Sequence, residues 1–344
     1  MKIIHTADLH LGKNYKGEIP IEIADQLEHD IWNTLIDLCK KSNEEKVDLM
    51  LIAGDLYERD FFTLSDMNYL MDILGSCNFP VAIAAGNHDY LKEGDLFSQV
   101  EIPSNILLFP PKFTAMDLEQ CNCRLFGYSY DDVHPTIELN PPKLHAQYKN
   151  ILLIHGWIQD NPYLTLDPTF LDQFDYVALG HIHKRGQATK KAYYSGSLEP
   201  LNFKETGPHG YIELLWEEDL TITYRNFSQK EFIVKTLTLD DENIMEVIES
   251  IENQINPNHL YEFILEGRVK DPWFVEELLN RRIKGRYVKF VNHLKPLYSI
   301  EALKEEFQGQ LLGSYIQTLD QKDEKYQKAL QLGLEYLLEA KDEA

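Results

Sequence analysis

Residues 179–186 read LGHIHKRG. In an extended chain, side chains two residues apart share a face, so His181 and His183 point together and Ile182 points away. Alone, the pair would be two exposed loop histidines. It is one of five polar clusters, however, each closing an apolar run. Lys2–Thr6 leads to Asp8 and His10, and Val47–Ala53 leads to Asp55. Val81–Ala85 leads to Asn87, His88 and Asp89, Ile151–Ile154 to His155, and Tyr176–Leu179 to the histidine pair. Oxygen and imidazole donors without a thiolate suit Mn2+, Fe2+ or Zn2+ in a catalytic setting. The donors are too numerous for one octahedral ion with open positions. Two ions about 3.5–4 Å apart, sharing one bridging carboxylate, would use them all.

Such donors need a scaffold. Short apolar runs bounded by glycine read as buried strands. Between the early runs lie helical patterns. Ile23–Leu38 carries Leu27, Ile31, Leu35 and Leu38 on one face, and Leu64–Leu74 carries Leu64, Met67, Leu70, Met71 and Leu74. The second stripe reads as core packing, with a dimer face as the alternative. Alternating strands and helices indicate a layered α/β domain, in which ligand groups sit at strand C-termini. After about residue 226 the texture changes. Strands at Glu231–Leu239, Leu260–Gly267 and Tyr287–Asn292 alternate with a helix capped by Asp240 and another near Trp273–Arg281, a small β-α-β-α-β unit. From about 299 the chain is helical and amphipathic, with Ile300, Leu303, Phe307, Leu311, Tyr315 and Leu319, then Leu330, Leu334, Leu337 and Leu338. A helix-joining turn is expected at 320–324.

Composition limits the partners. The chain has 344 residues and a net charge of −23. Phosphate-backbone binding usually shows as a basic surface, so any nucleic-acid role needs bound cations, a local basic patch or a partner. The best local patch is Lys184, Arg185, Lys190 and Lys191, directly after the histidine pair. Four cysteines are too few for a disulfide framework, and Cys121 and Cys123 lack a matching second pair for zinc. A reduced, cytoplasmic protein without membrane association is expected. No P-loop pattern is present, so any ATP use would belong to a partner.

The order D-x-H, G-D, G-N-H-D, H-G, G-H-x-H resembles the calcineurin-like metallophosphoesterase superfamily. The longer text HTADLHLG, AGNHD, DYVALGHIHK and YYSGSLEP is most similar to its SbcD/YhaO-type nuclease branch. The resemblance implies a layered metallophosphoesterase β-sandwich flanked by helices over residues 1–226. It also implies a small α+β capping domain over 227–295 and a helical docking tail over 296–344. Asp8, His10 and His183 would hold one metal, most expectedly manganese, and Asn87, His155 and His181 the second, with Asp55 bridging. A hydroxide between the ions would attack the phosphodiester in line. His88, beside Asn87, would protonate the leaving group rather than bind metal, with Glu58 and Asp89 as the acidic members of the catalytic set. Histidine-bearing members of the branch differ at Glu58, which is similar to the acid that pairs with the general-acid histidine in phosphoprotein phosphatases. A solvated loop acid is the alternative. The implied function is a metal-dependent DNA exo/endonuclease in repair, a homodimer working with an SMC-like coiled-coil ATPase of SbcC/YhaN type. A stand-alone phosphatase or small-molecule phosphodiesterase on the same site is the alternative, and a non-catalytic scaffold the third class.

Overall fold

In the computed structural model, the described residues are 1–319 without 16, 18, 138, 140–143, 160 and 161, together with 326, 329, 330, 333, 334 and 336. The expected turn at 320–324, and Leu337 and Leu338, lie outside the described residues. The chain divides into two compact units, Met1–Glu231 and Phe232–Ala344.

In the first unit, β1 (Lys2–Thr6), β2 (Leu49–Ala53), β3 (Val81–Ala84) and β4 (Ile106–Leu108) run parallel, with Thr6 opposite Ile52 and Ala53 opposite Ala84. A second sheet is built from β5 (Thr114–Leu118), β6 (Cys123–Tyr128), β7 (Lys149–His155), β8 (Tyr176–Gly180), β9 (Gly186–Gln187) and β10 (Ala192–Tyr194). β11 (Gly210–Trp216) and β12 (Leu220–Asn226) return to the first sheet. The orders are β12-β11-β1-β2-β3-β4 and β5-β6-β7-β8-β10-β9.

Side-chain alternation makes the layers. Ile151 and Leu153 of β7 share a core with Ile3, Leu49, Leu51 and Ala82, so the two sheets pack as a sandwich. Leu152 and Ile154 face the opposite way and pack with Leu166, Phe170, Leu171 and Phe174. A strand covered on both faces reads as a continuous apolar run, which is why these runs carry no polar alternation.

Helix α1 (Ile21–Glu44) buries Leu27, Ile31, Leu35 and Leu38, as its stripe requires. It outruns the expected Ile23–Leu38 because its C-terminal extension is mostly polar and carries no apolar stripe, although Cys39 and Ser42 are buried there. Helix α2 (Leu64–Gly75) begins at a capping box in which Thr63 and Asp66 satisfy each other's free amides. It buries Met67, Leu70, Met71 and Leu74 within this unit. Asp167 caps the single turn α3 (Pro168–Leu171).

The second unit orders β13 (Phe232–Leu239), α4 (Ile244–Gln254), β14 (Leu260–Val269), α5 (Pro272–Arg282) and β15 (Tyr287–Asn292), the three strands being parallel. A short β16 (Lys295–Pro296) pairs with the end of β14. Leu239, Ile248, Ile251, Phe263, Leu265 and Val275 form its core. Asp240 is not the N-cap of α4: its carboxylate accepts the amides of Glu242 and Asn243, and Asn243 holds the cap position. A local turn thus delays the helix by three residues.

The tail stripe also departs from expectation. It breaks into α6 (Ile300–Glu306) and α7 (Leu311–Leu319), with Gly309 at φ 79° between them. Leu303, Phe307 and Ile316 bury against Leu330 and Leu334, so much of the stripe is consumed inside the unit. Leu311 and Tyr336 stay 81% and 74% exposed. Among the described residues, no helix is long and apolar enough to cross a membrane.

Candidate metal centre

The parallel order of β1, β2 and β3 brings their C-terminal ends to one edge, and β7 and β8 end likewise with His155 opposite Gly180. The loops lock across this edge. Asp8 donates its amide to the Gly54 carbonyl at 3.0 Å, and His10 to that of Asp55 at 3.0 Å. Close approach demands glycine at two points. A Cβ on Gly180 would stand 1.8 Å from the Ala53 oxygen, and one on Gly54, at φ 87°, would strike the His155 ring. Among the described residues, four of the six non-glycine positions with positive φ belong to this cluster: Asp8, His10, Asp55 and His181. Such conformations cost about 1–3 kcal/mol each and persist where surrounding packing over-determines them.

Three donor groups lie with their ligand atoms within 4.8 Å of one another: Asp8, His10 and His183; Asp8, Asp55 and His155; and His10, Asp55 and His88. Hydrogen bonds orient the imidazoles. His10 Nδ1 donates to Glu58 Oε1 at 2.8 Å, and His183 Nδ1 to Glu205 Oε1 at 3.0 Å. Each ring therefore presents its Nε2, and these two atoms lie 3.1 Å apart. His155 Nδ1 donates to the Ala53 carbonyl at 2.9 Å, turning its own Nε2 toward Asn87 Oδ1 at 3.0 Å and Asp55 Oδ2 at 3.4 Å. His181 Nδ1 lies 3.3 Å from the same Asn87 oxygen. Asp8 Oδ1 accepts the His181 amide, whereas its buried Oδ2 has no hydrogen-bond partner.

Acceptor atoms thus face acceptor atoms in a buried place, which is unfavourable unless a cation lies among them. The residues present fit divalent metal. Asp8, His10 and His183 would hold one ion, Asn87, His155 and His181 another, and Asp55 Oδ2, near both His155 and His10, would be shared.

Electrostatics follow the same lines. Burial pushes Asp8 up against the pull of His183 and His155. Burial also pushes Asp55 up, but His155, His10 and His88 outweigh it and hold the group below the usual carboxylate range. Burial lowers His88 and His183, yet each is raised to about 9, His88 by Glu58 and Asp55 and His183 by Glu205 and Asp8. His181, buried beside His155, is lowered to about 4.

Glu58 is no solvated loop acid. One oxygen holds His10 and the other accepts from His88 Nδ1 at 2.8 Å, so it serves two histidines where one was expected. Two hydrogen bonds from these rings keep it well below the usual carboxylate range despite burial. Asp89, expected among the catalytic groups, is fully buried and turned inward. It accepts the amides of Asp55, Leu56 and Gly86, pinning two ligand loops together. It is a positioning residue. His88 also differs from expectation in one respect: it stands within ligand range of His10 and Asp55. Glu205 was missed, because it follows His183 by 22 residues with no local spacing to mark it.

The site is thus a cluster of imidazoles and carboxylates brought together around Asp55 at the strand ends of a two-sheet sandwich. The calcineurin-like phosphoesterase family matches residues 1–228, and the chain belongs to that family. The protein named uncharacterized metallophosphoesterase YhaO of Bacillus subtilis (strain 168) is 27% identical over 232 residues, covering 61% of this chain and 56% of that relative. The match spans little more than half of the relative's length.

Proposed function

We propose that this chain cleaves phosphodiesters in DNA as the nuclease subunit of a repair assembly, with manganese as its metal pair and a coiled-coil, SMC-like ATPase of SbcC/YhaN type as partner. The convergence of imidazole and carboxyl groups around Asp55, with the buried Asp8 Oδ2 left without a hydrogen-bond partner, carries the catalytic part of this reading. The second unit supports the assembly part. It lies beyond the stretch matched by the family, and a stand-alone phosphatase needs neither its capping fold nor its tail. Leu311 and Tyr336 offer the partner an apolar contact. On a chain of net charge −23, the partner would supply most of the grip on DNA. A second copy of the chain would use the α2 edge, where Leu64 and Tyr69 remain exposed.

When bound, a pair of divalent cations neutralises phosphoester oxygens and acidifies water. The chain's own contribution is positioning and proton transfer. Glu58 fixes the His88 tautomer and keeps the ring protonated near neutral pH, so His88 would hand a proton to the leaving oxygen. Its side chain is 41% exposed, open to a substrate.

The second reading, a phosphatase or small-molecule phosphodiesterase on the same residues, is favoured by the acidic charge. The two separate by rate on three substrates with added manganese: a DNA oligonucleotide, bis(p-nitrophenyl) phosphate and p-nitrophenyl phosphate. Faster cleavage of the monoester than of either diester would sink the nuclease reading. His88→Ala is expected to keep its metal and lose about 10²–10⁴-fold in turnover. A metal-depleted variant would make His88 a ligand instead.

A further inference from the structure

A cavity of about 190 Å3 opens beside His183, lined by Lys184, Arg185, Lys204, Glu205, Thr206 and His209. The basic cluster legible after the histidine pair divides here. Lys190 and Lys191 belong to the turn between β9 and β10, while Lys184 and Arg185 meet Lys204 from a different loop. Among the described residues, neither the Lys184 nor the Lys204 ammonium has an ion-pair partner. Arg185 is pre-ordered: Nη1 donates to Asn226 Oδ1 at 2.6 Å, and the guanidinium lies 5.6 Å from the Tyr224 ring centre.

One carboxylate, Glu205, faces these three cations, and it is already engaged. It takes hydrogen bonds from His183 Nδ1, the Asn202 amide group and the Leu201 amide. In a chain this acidic, three cations gathered at one cavity make a local positive potential beside a residue placed to hold metal. A mononuclear ester at the metal centre would have no need of it. A phosphodiester chain presents a second anion next to the one being cut, and lysine and arginine donors match it.

We propose that this cavity receives the phosphate flanking the scissile one, so that the site selects a polymeric phosphodiester over an isolated diester. The inference rests on the phosphodiesterase reading above and names its substrate class.

The test compares kcat/KM on a short DNA oligonucleotide with that on bis(p-nitrophenyl) phosphate, for the full chain with manganese, over a series of salt concentrations. Lys204→Gln and Lys184→Gln should each lower the ratio of the two values about tenfold, the worth of one charge-assisted hydrogen bond, chiefly through KM. Each should also reduce the slope of log(kcat/KM) against log[salt] on the oligonucleotide by about 1. An oligonucleotide with neutral methylphosphonates flanking the cleaved bond should erase the difference between variant and parent. An unchanged ratio and slope, with the parent active on both substrates, overturns the cavity's role alone. A parent that cleaves bis(p-nitrophenyl) phosphate but leaves the oligonucleotide intact even at low salt and high oligonucleotide concentration, where weak backbone binding suffices, overturns the nuclease reading and this inference together.

Discussion

The two halves of the donor cluster hold their histidines in different ways. His10 and His183 each lean on a carboxylate, Glu58 and Glu205. His155 leans on a backbone carbonyl, and His181 stands among Trp157, Tyr163 and the His155 ring, with the Asn87 oxygen 3.3 Å from its Nδ1. The consequence is a split in basicity between two histidines separated by one residue: His183 is raised to about 9 while burial takes His181 down to about 4. A carboxylate behind an imidazole makes it a stronger donor to metal. On this basis the Asp8 half would retain a cation the more tightly, and the Asn87 half would hold one more loosely.

Removing what the halves share should abolish the contrast. Asp55→Asn is expected to lose both ions and at least about 10³-fold in hydrolysis, on the scale of the several kcal/mol a metal pair supplies. Metal content after dialysis and the rate on a generic diester check this. One ion retained at full affinity would show that Asp55 serves one half only.

The carboxylates test each side of the contrast. Glu205→Gln should weaken the first ion by about 10–100-fold and leave the second in place, with activity restored by excess manganese. Glu58→Gln should weaken the same ion by a similar factor, but excess metal should restore only part of its activity, because His88 loses its anchor as well. Titration of metal against activity distinguishes the two variants. Equal loss of both ions in Glu205→Gln would contradict the division into halves.

The smallest effect extends the contrast to a histidine outside the donor set. His5 is fully buried, with Nδ1 against the Tyr176 hydroxyl and Nε2 against the Leu179 carbonyl, and no carboxylate. Burial lowers it from 6.5 to about 3. The unfolded chain then takes up a proton that the folded chain refuses, so stability falls as pH drops from 6.5 toward 3. The cost is up to about 1.4 kcal/mol for each pH unit. His5→Gln should flatten the acid side of the stability curve relative to the parent while leaving the region above pH 6.5 parallel, as followed by denaturant unfolding at several pH values. Parallel curves down to pH 4 would mean that His5 is charged in the fold.

Much of this protein is legible in its sequence. A run of apolar residues followed by polar ones forms a local code, and it identified β1, β2, β3, β7 and β8 and the polar residues at their ends. The Leu27 to Leu38 stripe marked α1, and the Leu64 to Leu74 stripe marked α2. These features depend on residues a few positions apart, which is the range over which chain geometry transmits pattern. Helix ends were less legible: Asp240 reads as a cap, yet its carboxylate is taken by a turn that precedes the helix.

What the sequence determined by itself is the donor chemistry and the end of each strand that carries it. What only the tertiary structure decided is which donors meet. The five clusters lie on two sheets, and only their packing brings His10 Nε2 within 3.1 Å of His183 Nε2 across 173 residues. The same packing gave Glu58 its second histidine, turned Asp89 inward to three amides, set Glu205 behind His183 and joined Lys204 to Lys184 and Arg185. None of these partnerships has a sequence period. Each is fixed by loop-to-loop distances of a few ångströms, which follow from how two sheets bury their shared apolar face.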